Sequence, residues 1–105
     1  MSFINTEDIE REMLPGARAR FIHSENMTMS LWRFEAGGNL PEHSHPHEQM
    51  TKLISGRFEL TVDGETKEMT ASDVAVIPSN AVHKGRAITD CEMLDVFYPV
   101  REDYR

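Results

Sequence analysis

A chain of 105 residues has room for one domain, 1–105, and its 39% hydrophobic content is that of an ordinary globular protein. A formal net charge of −7 argues against a nucleic-acid partner, whose phosphates it would repel, and no apolar run reaches membrane-spanning length. The single cysteine, Cys91, rules out an internal disulfide; with no basic-then-apolar segment at the N-terminus, cytoplasmic residence is the expectation. A core this small gains from dimerisation, and most of the seven methionines are expected to fill core or dimer-interface gaps.

In chain order, Thr6–Leu14 is expected to form one short helical turn. Thr6 can cap it, Glu7 and Asp8 suit its positive end, and Pro15-Gly16 stops it. Arg18–His23 and Met27–Glu35 read as strands around the turn Ser24-Glu25-Asn26. In the second, Met27, Met29 and Leu31 share one face, and Trp32 and Phe34 the other. Both faces being apolar predicts burial between two sheets, or between a sheet and a partner subunit. Gly37-Gly38-Asn39 breaks that strand, a histidine-rich segment follows, and Met50–Ile54 is rich in β-formers. Arg57–Val62 alternates apolar and polar residues, and Asp63-Gly64 signals a type I′ hairpin into Glu65–Met69. Val74–Ile77, ended by Pro78, then Val82–Ile88 and Cys91–Tyr98, complete about eight or nine short strands. With no convincing long helix, the fold class is all-β, a sandwich or barrel.

The chemistry concentrates in His43-Ser44-His45-Pro46-His47-Glu48-Gln49. Side chains alternate faces along a strand, so His43, His45 and Gln49 share a parity, with Pro46 bending the backbone between them. His83, beyond Ile77-Pro78-Ser79-Asn80, can supply a third imidazole. The reading is a divalent transition metal held by His43, His45, Gln49 and His83, with an open position for substrate. His47 has the same parity and is either a competing ligand or turned outward, while Glu48 faces away. Neutral ligands leave the +2 charge uncompensated, so the site should attract an anion and lower the pKa of what binds. Ni, Zn, Cu, Fe and Mn all suit such ligands.

On the last strand, Asp95 lies between Met93 and Phe97 on an otherwise apolar face. It is either a carboxylate satisfied by local partners or a general acid/base pointing inward. Arg101 is either a surface arginine of a charged tail or a two-pronged carboxylate clamp. Trp32 and Tyr98 are candidates for a sugar-binding wall, and Arg33 a weaker one for contacting an anion. Cys91 reads as a small buried hydrophobe.

These residues resemble the cupin family. Its first motif places Gly, His-x-His, Glu and Gly at the spacing of Gly37, His43, His45, Gln49 and Gly56, with Gln in place of Glu. Its second is matched by Ser72, Pro78, Asn80 and His83, with Ser and Asn replacing glycines. Asn80 can take the left-handed backbone that glycine would. The resemblance covers roughly residues 27–98 and implies a double-stranded β-helix (jelly-roll) barrel, usually dimeric. Within that family, the histidine segment and Asp95-Val96-Phe97-Tyr98-Pro99-Val100-Arg101-Glu102-Asp103 look most like the KdgF-type pectin-degradation cupins. That resemblance implies an enzyme converting small, anionic 4,5-unsaturated monouronates to the linear, ketonised sugar acid. It implies metal ligands His43, His45, Gln49 and His83, and active-site residues Asp95, Phe97 and Arg101. Cupins host many functions, so two other readings stand beside it: a metal-dependent dioxygenase, and a non-catalytic binder of a sugar acid.

Overall fold

A computed structural model describes residues 2–105. The strands are β1 (Arg11–Leu14), β2 (Ala17–His23), β3 (Thr28–Phe34), β4 (Asn39–His43), β5 (Glu48–Ser55), β6 (Phe58–Val62), β7 (Glu65–Met69), β8 (Val74–Ile77), β9 (His83–Ala87) and β10 (Cys91–Tyr98). A short 3₁₀ turn, Glu102–Tyr104, follows. One sheet runs β1-β2-β3-β10-β5-β8 and the other β4-β9-β6-β7, with every pairing antiparallel. The two antiparallel sheets make the expected all-β jelly roll.

The hairpin at Asp63-Gly64 forms as its sequence demands: both residues have positive φ, 47° and 82°. Asn80 likewise takes the left-handed backbone, at φ 65°. Gly56 is fixed by crowding, because a Cβ there would lie 2.2 Å from the carbonyl oxygen of Asp90.

The N-terminal expectation is corrected. Thr6–Leu14 forms no helical turn; Arg11–Leu14 is a strand paired with β2, Arg11 opposite Ala19. The local cap belongs to Asn5, whose Oδ1 accepts from the Glu7 amide at 2.9 Å. With few apolar positions at helical spacing, the segment gains more from completing a sheet edge than from an isolated turn. The large sheet therefore reaches well before residue 27.

The β3 expectation is corrected in part. Thr28, Ser30, Trp32 and Phe34 face inward and are buried, whereas Met29 lies outside, 42% exposed. Of the methionines, Met69 and Met93 fill the core, while Met27, Met29 and Met50 stand on the outer face of the large sheet. Cys91 is buried as expected, and burial pushes its thiol pKa up.

The space between the sheets is divided. One end is hydrocarbon, with Leu53, Phe58, Leu60, Met69, Ala87 and Met93 buried. A run of rings, Phe21, Trp32, Phe34 and Phe58, crosses it with successive centroids 5.9, 5.4 and 5.1 Å apart. At the other end the buried residues turn polar: Thr28, Ser30, His45, Gln49, Thr51, His83, Asp95 and Arg101. Buried polar groups on this scale need partners, and those partners define the site.

Candidate metal centre

Strand register builds the polar end row by row. On the large sheet Asp95 of β10 lies opposite Ser30 of β3 and Thr51 of β5. The next row sets Phe97 opposite Thr28 and Gln49. On the small sheet His43 of β4 lies opposite His83 of β9. The two sheets thus face each other with imidazoles on one side and an amide, a hydroxyl pair and a carboxylate on the other.

His45 arrives differently from expectation. β4 ends at His43 and β5 starts at Glu48, so His45 sits in a loop and not on a strand. That loop is tied to the one preceding His83. The Asn80 amide donates to the His45 carbonyl at 2.8 Å, and the Ser79 hydroxyl to that of Pro46 at 2.6 Å. Ser79 and Asn80 thereby bring together histidines nearly forty positions apart in sequence.

Each of the three rings is oriented by a backbone carbonyl two residues away. Nδ1 of His43 donates to Pro41, that of His45 to His47, and that of His83 to Ala81, at 2.9, 3.0 and 2.9 Å. A carbonyl oxygen can only accept, so Nδ1 carries the proton and Nε2 presents a lone pair. The three rings each bring a ligand atom within 4.8 Å of the others. His83 Nε2 is buried with no partner among the described residues.

Gln49 adds a fourth lone pair. Its Nε2 donates to Thr51 Oγ1 at 2.9 Å, which turns Oε1 toward His45 Nε2, 3.0 Å away. Thr51 must accept that bond because its own proton goes to Asp95 Oδ1 at 2.7 Å. Two acceptor atoms therefore confront each other at hydrogen-bond distance. Protonating His45 would relieve this, but burial, then Arg101 and His83, pull its pKa down to about 4. Burial lowers the His83 pKa as well, with His43 and Arg101 acting in the same direction. Four converging lone pairs that resist protons fit a cation, and the all-neutral imidazole and amide donors suit a divalent transition ion. The outward orientation of Glu48 and its exposure agree with the sequence reading.

Asp95 is 5% exposed, and burial raises its pKa from 3.8 to about 6. Hydrogen bonds from Thr51, Ser30 and Gln49, together with the Arg101 charge, limit that rise. Ser30 Oγ reaches Asp95 Oδ2 at 3.3 Å and accepts from Trp32 Nε1 at 3.0 Å. Arg101 is buried, its guanidinium centred 4.8 Å from the Phe97 ring centroid and 4.3 Å from that of Tyr104.

A cavity of about 30 Å³ joins these groups, lined by His43, Gln49, His83, Asp95, Phe97 and Arg101 among others. Trp32 also lines it, as a candidate wall residue should. Tyr98 does not; it stands on the outer face, 58% exposed. Arg33 also points out, paired with Glu10, so neither touches the site. A larger hollow, about 490 Å³, lies elsewhere among Arg18, Arg33, Glu35 and Asp90, away from every histidine named above.

Thr51 and Ser30 were missed by sequence reasoning. The available signal was parity: Thr51 shares the inward face with Gln49, and Ser30 with Trp32 and Phe34.

Comparison with known proteins agrees with the fold. An uncharacterised protein of Streptomyces coelicolor is 30% identical over 88% of this chain and 89% of its own length. The pectin degradation protein KdgF of Dickeya dadantii is 27% identical, over 97% of this chain and 96% of that protein. The structure of KdgF from a Halomonas species matches with a TM-score of 0.90 at 27% identity, covering 98% of this chain and 96% of that one. The sequence profile described as a cupin domain matches residues 30–97, the stretch from the middle of β3 to the end of β10 that carries both histidine motifs. The chain belongs to the cupin family.

Proposed function

We propose that this cupin is a metal-dependent enzyme acting on a small sugar acid, promoting ring opening and ketonisation of 4,5-unsaturated monouronates. The observation that carries the reading is a set of four convergent lone pairs, three of them (His43, Gln49 and His83) lining one cavity with Asp95, a buried carboxylate whose pKa rises to about 6. The likeness to two proteins named KdgF supports the substrate class.

His43, His45, Gln49 and His83 would hold the ion. A divalent transition metal in that setting supplies Lewis acidity, stabilising negative charge on a substrate oxygen. Asp95 serves as the proton carrier. Near neutral pH it is mostly ionised, so it takes a proton from the enol or hemiacetal hydroxyl and can return it to carbon. Thr51 holds one carboxylate oxygen through its hydroxyl, leaving the other in its longer contact with Ser30. Arg101 binds the substrate carboxylate through its fork of N–H groups, and Phe97 packs against the sugar ring. The aromatic run beneath keeps bulk water from the hydrocarbon end.

The chain acts as one domain and pairs with a second copy through the outer face of its large sheet. No described helix is long and apolar enough to cross a membrane; the reading places the protein in the cytoplasm.

The test follows the ultraviolet absorbance of a 4,5-unsaturated monouronate. Loss faster than the spontaneous rate, abolished by metal removal and restored by adding it back, supports the proposal. Oxygen uptake would support the dioxygenase reading, and binding without turnover the sugar-acid binder. His45→Ala should lower the bound metal per chain, and unchanged stoichiometry would remove His45 from the ligand set.

A further inference from the structure

The two-pronged Nε/Nη2 edge of Arg101 is already taken. Its Nε and Nη2 donate to Asp103 Oδ1 and Oδ2 at 3.1 and 2.8 Å. The two partners are unequal: the Arg101 side chain is 6% exposed and the Asp103 side chain 56%. The arginine is also held by its backbone and by two rings. Its amide donates to Thr28 Oγ1 at 2.9 Å, and its guanidinium lies against the Phe97 and Tyr104 rings. The aspartate is a half-solvated side chain in a three-residue turn at the end of the chain. Its carboxylate presents to the guanidinium the same planar pair of oxygens that a sugar acid would present.

We infer that Asp103 is a specificity-determining residue, an internal competitor that fills the carboxylate-binding edge of Arg101 until an anionic sugar displaces it. This rests on the sugar-acid reading and adds to it. An anion taking the Nε/Nη2 edge replaces an existing carboxylate, so the exchange conserves the charge balance around a buried guanidinium. A neutral sugar has nothing to exchange. The arrangement therefore sharpens selection for an acid over its uncharged analogue, at the expense of absolute affinity. It also keeps Arg101 paired when no substrate is present, as a buried guanidinium requires.

The experiment measures calorimetric binding of galacturonate and of galactose to the full chain, as wild type, Asp103→Asn and Glu102→Gln. Glu102 pairs with the exposed Arg105. Glu102→Gln thus removes the same charge one residue away and controls for long-range electrostatics. Asp103→Asn should tighten galacturonate by about two- to fivefold, the span of a half-exposed ion pair. Glu102→Gln should leave galacturonate affinity unchanged, and galactose binding should respond to neither variant. Asp103→Ser serves as the second variant should the asparagine chain fail to fold. Wild-type galacturonate affinity that Asp103→Asn leaves unchanged or weakens, or that Glu102→Gln raises equally, overturns the inference while the sugar-acid reading stands. No galacturonate binding to any variant overturns both.

Discussion

Thr51 is a single hydroxyl with two obligations. It donates to Asp95 and accepts from Gln49, so the direction of its proton sets the direction of the Gln49 amide. Thr51→Val removes both bonds at nearly constant volume and leaves the amide free to turn its nitrogen toward His45. Metal affinity should fall by about 10–100-fold, as for lost outer partners of other metal ligands, and Thr51→Ser should restore it. Competition with a metal-binding dye measures this without reference to turnover. Asp95 carries the opposite tension between stability and activity. Its pKa in the folded chain, about 6, lies above the ordinary 3.8, so the folded state binds the extra proton. The associated stability is complete below pH 3.8 and lost as pH rises through 6. At pH 7 the ionised, buried form is a burden of about 3 kcal/mol. Asp95→Asn should therefore unfold at higher urea than wild type at pH 7, with the gain vanishing near pH 4, while turnover drops by about 10²–10⁴-fold.

At the scale of elements, β9 shows how tightly the small sheet is set. It lies between β4 and β6 and carries His83 at its first position. Two residues on, a Cβ at Gly85 would stand 2.2 and 2.5 Å from ring atoms of Phe58. Gly85→Ala should destabilise by about 1–3 kcal/mol through overpacking, read from urea denaturation, and should shift His83 enough to weaken metal binding. β7, β8 and β10 were legible to the residue, because alternation and turn chemistry agree there with the tertiary answer. Gln49, His43 and His83 were legible as converging groups by spacing. The N-terminal strand was not, since Thr6, Glu7 and Asp8 form a plausible cap in isolation and only pairing with β2 overrides it. Nor was the route by which His45 reaches the site, which depends on Ser79 and Asn80 bonds across two loops. Arg101 and Asp103 were visible as a charged tail, but the burial of Arg101 was not, since its amide is bonded to Thr28, far back in the chain.

For the whole molecule, the large sheet leaves one apolar row uncovered. Ile22, Met29, Val96, Met50 and Val76 are successive partners across β2, β3, β10, β5 and β8. Met50 is 52% and Val76 61% exposed, on a chain otherwise carrying a net charge of −7. Met50→Glu puts a carboxylate in the middle of that row. Sedimentation or light scattering should show the variant as a monomer where wild type is a dimer, with the metal site intact. A monomeric wild type would remove the pairing from the proposal. The anchoring of the three imidazoles has its own consequence at this scale. Each ring is steered by a backbone carbonyl of its own neighbourhood. The entropy of aiming them is thus spent during folding, so under the proposed metal reading a bare chain offers a finished nest, in which one cation could be swapped for another without the polypeptide having to rearrange.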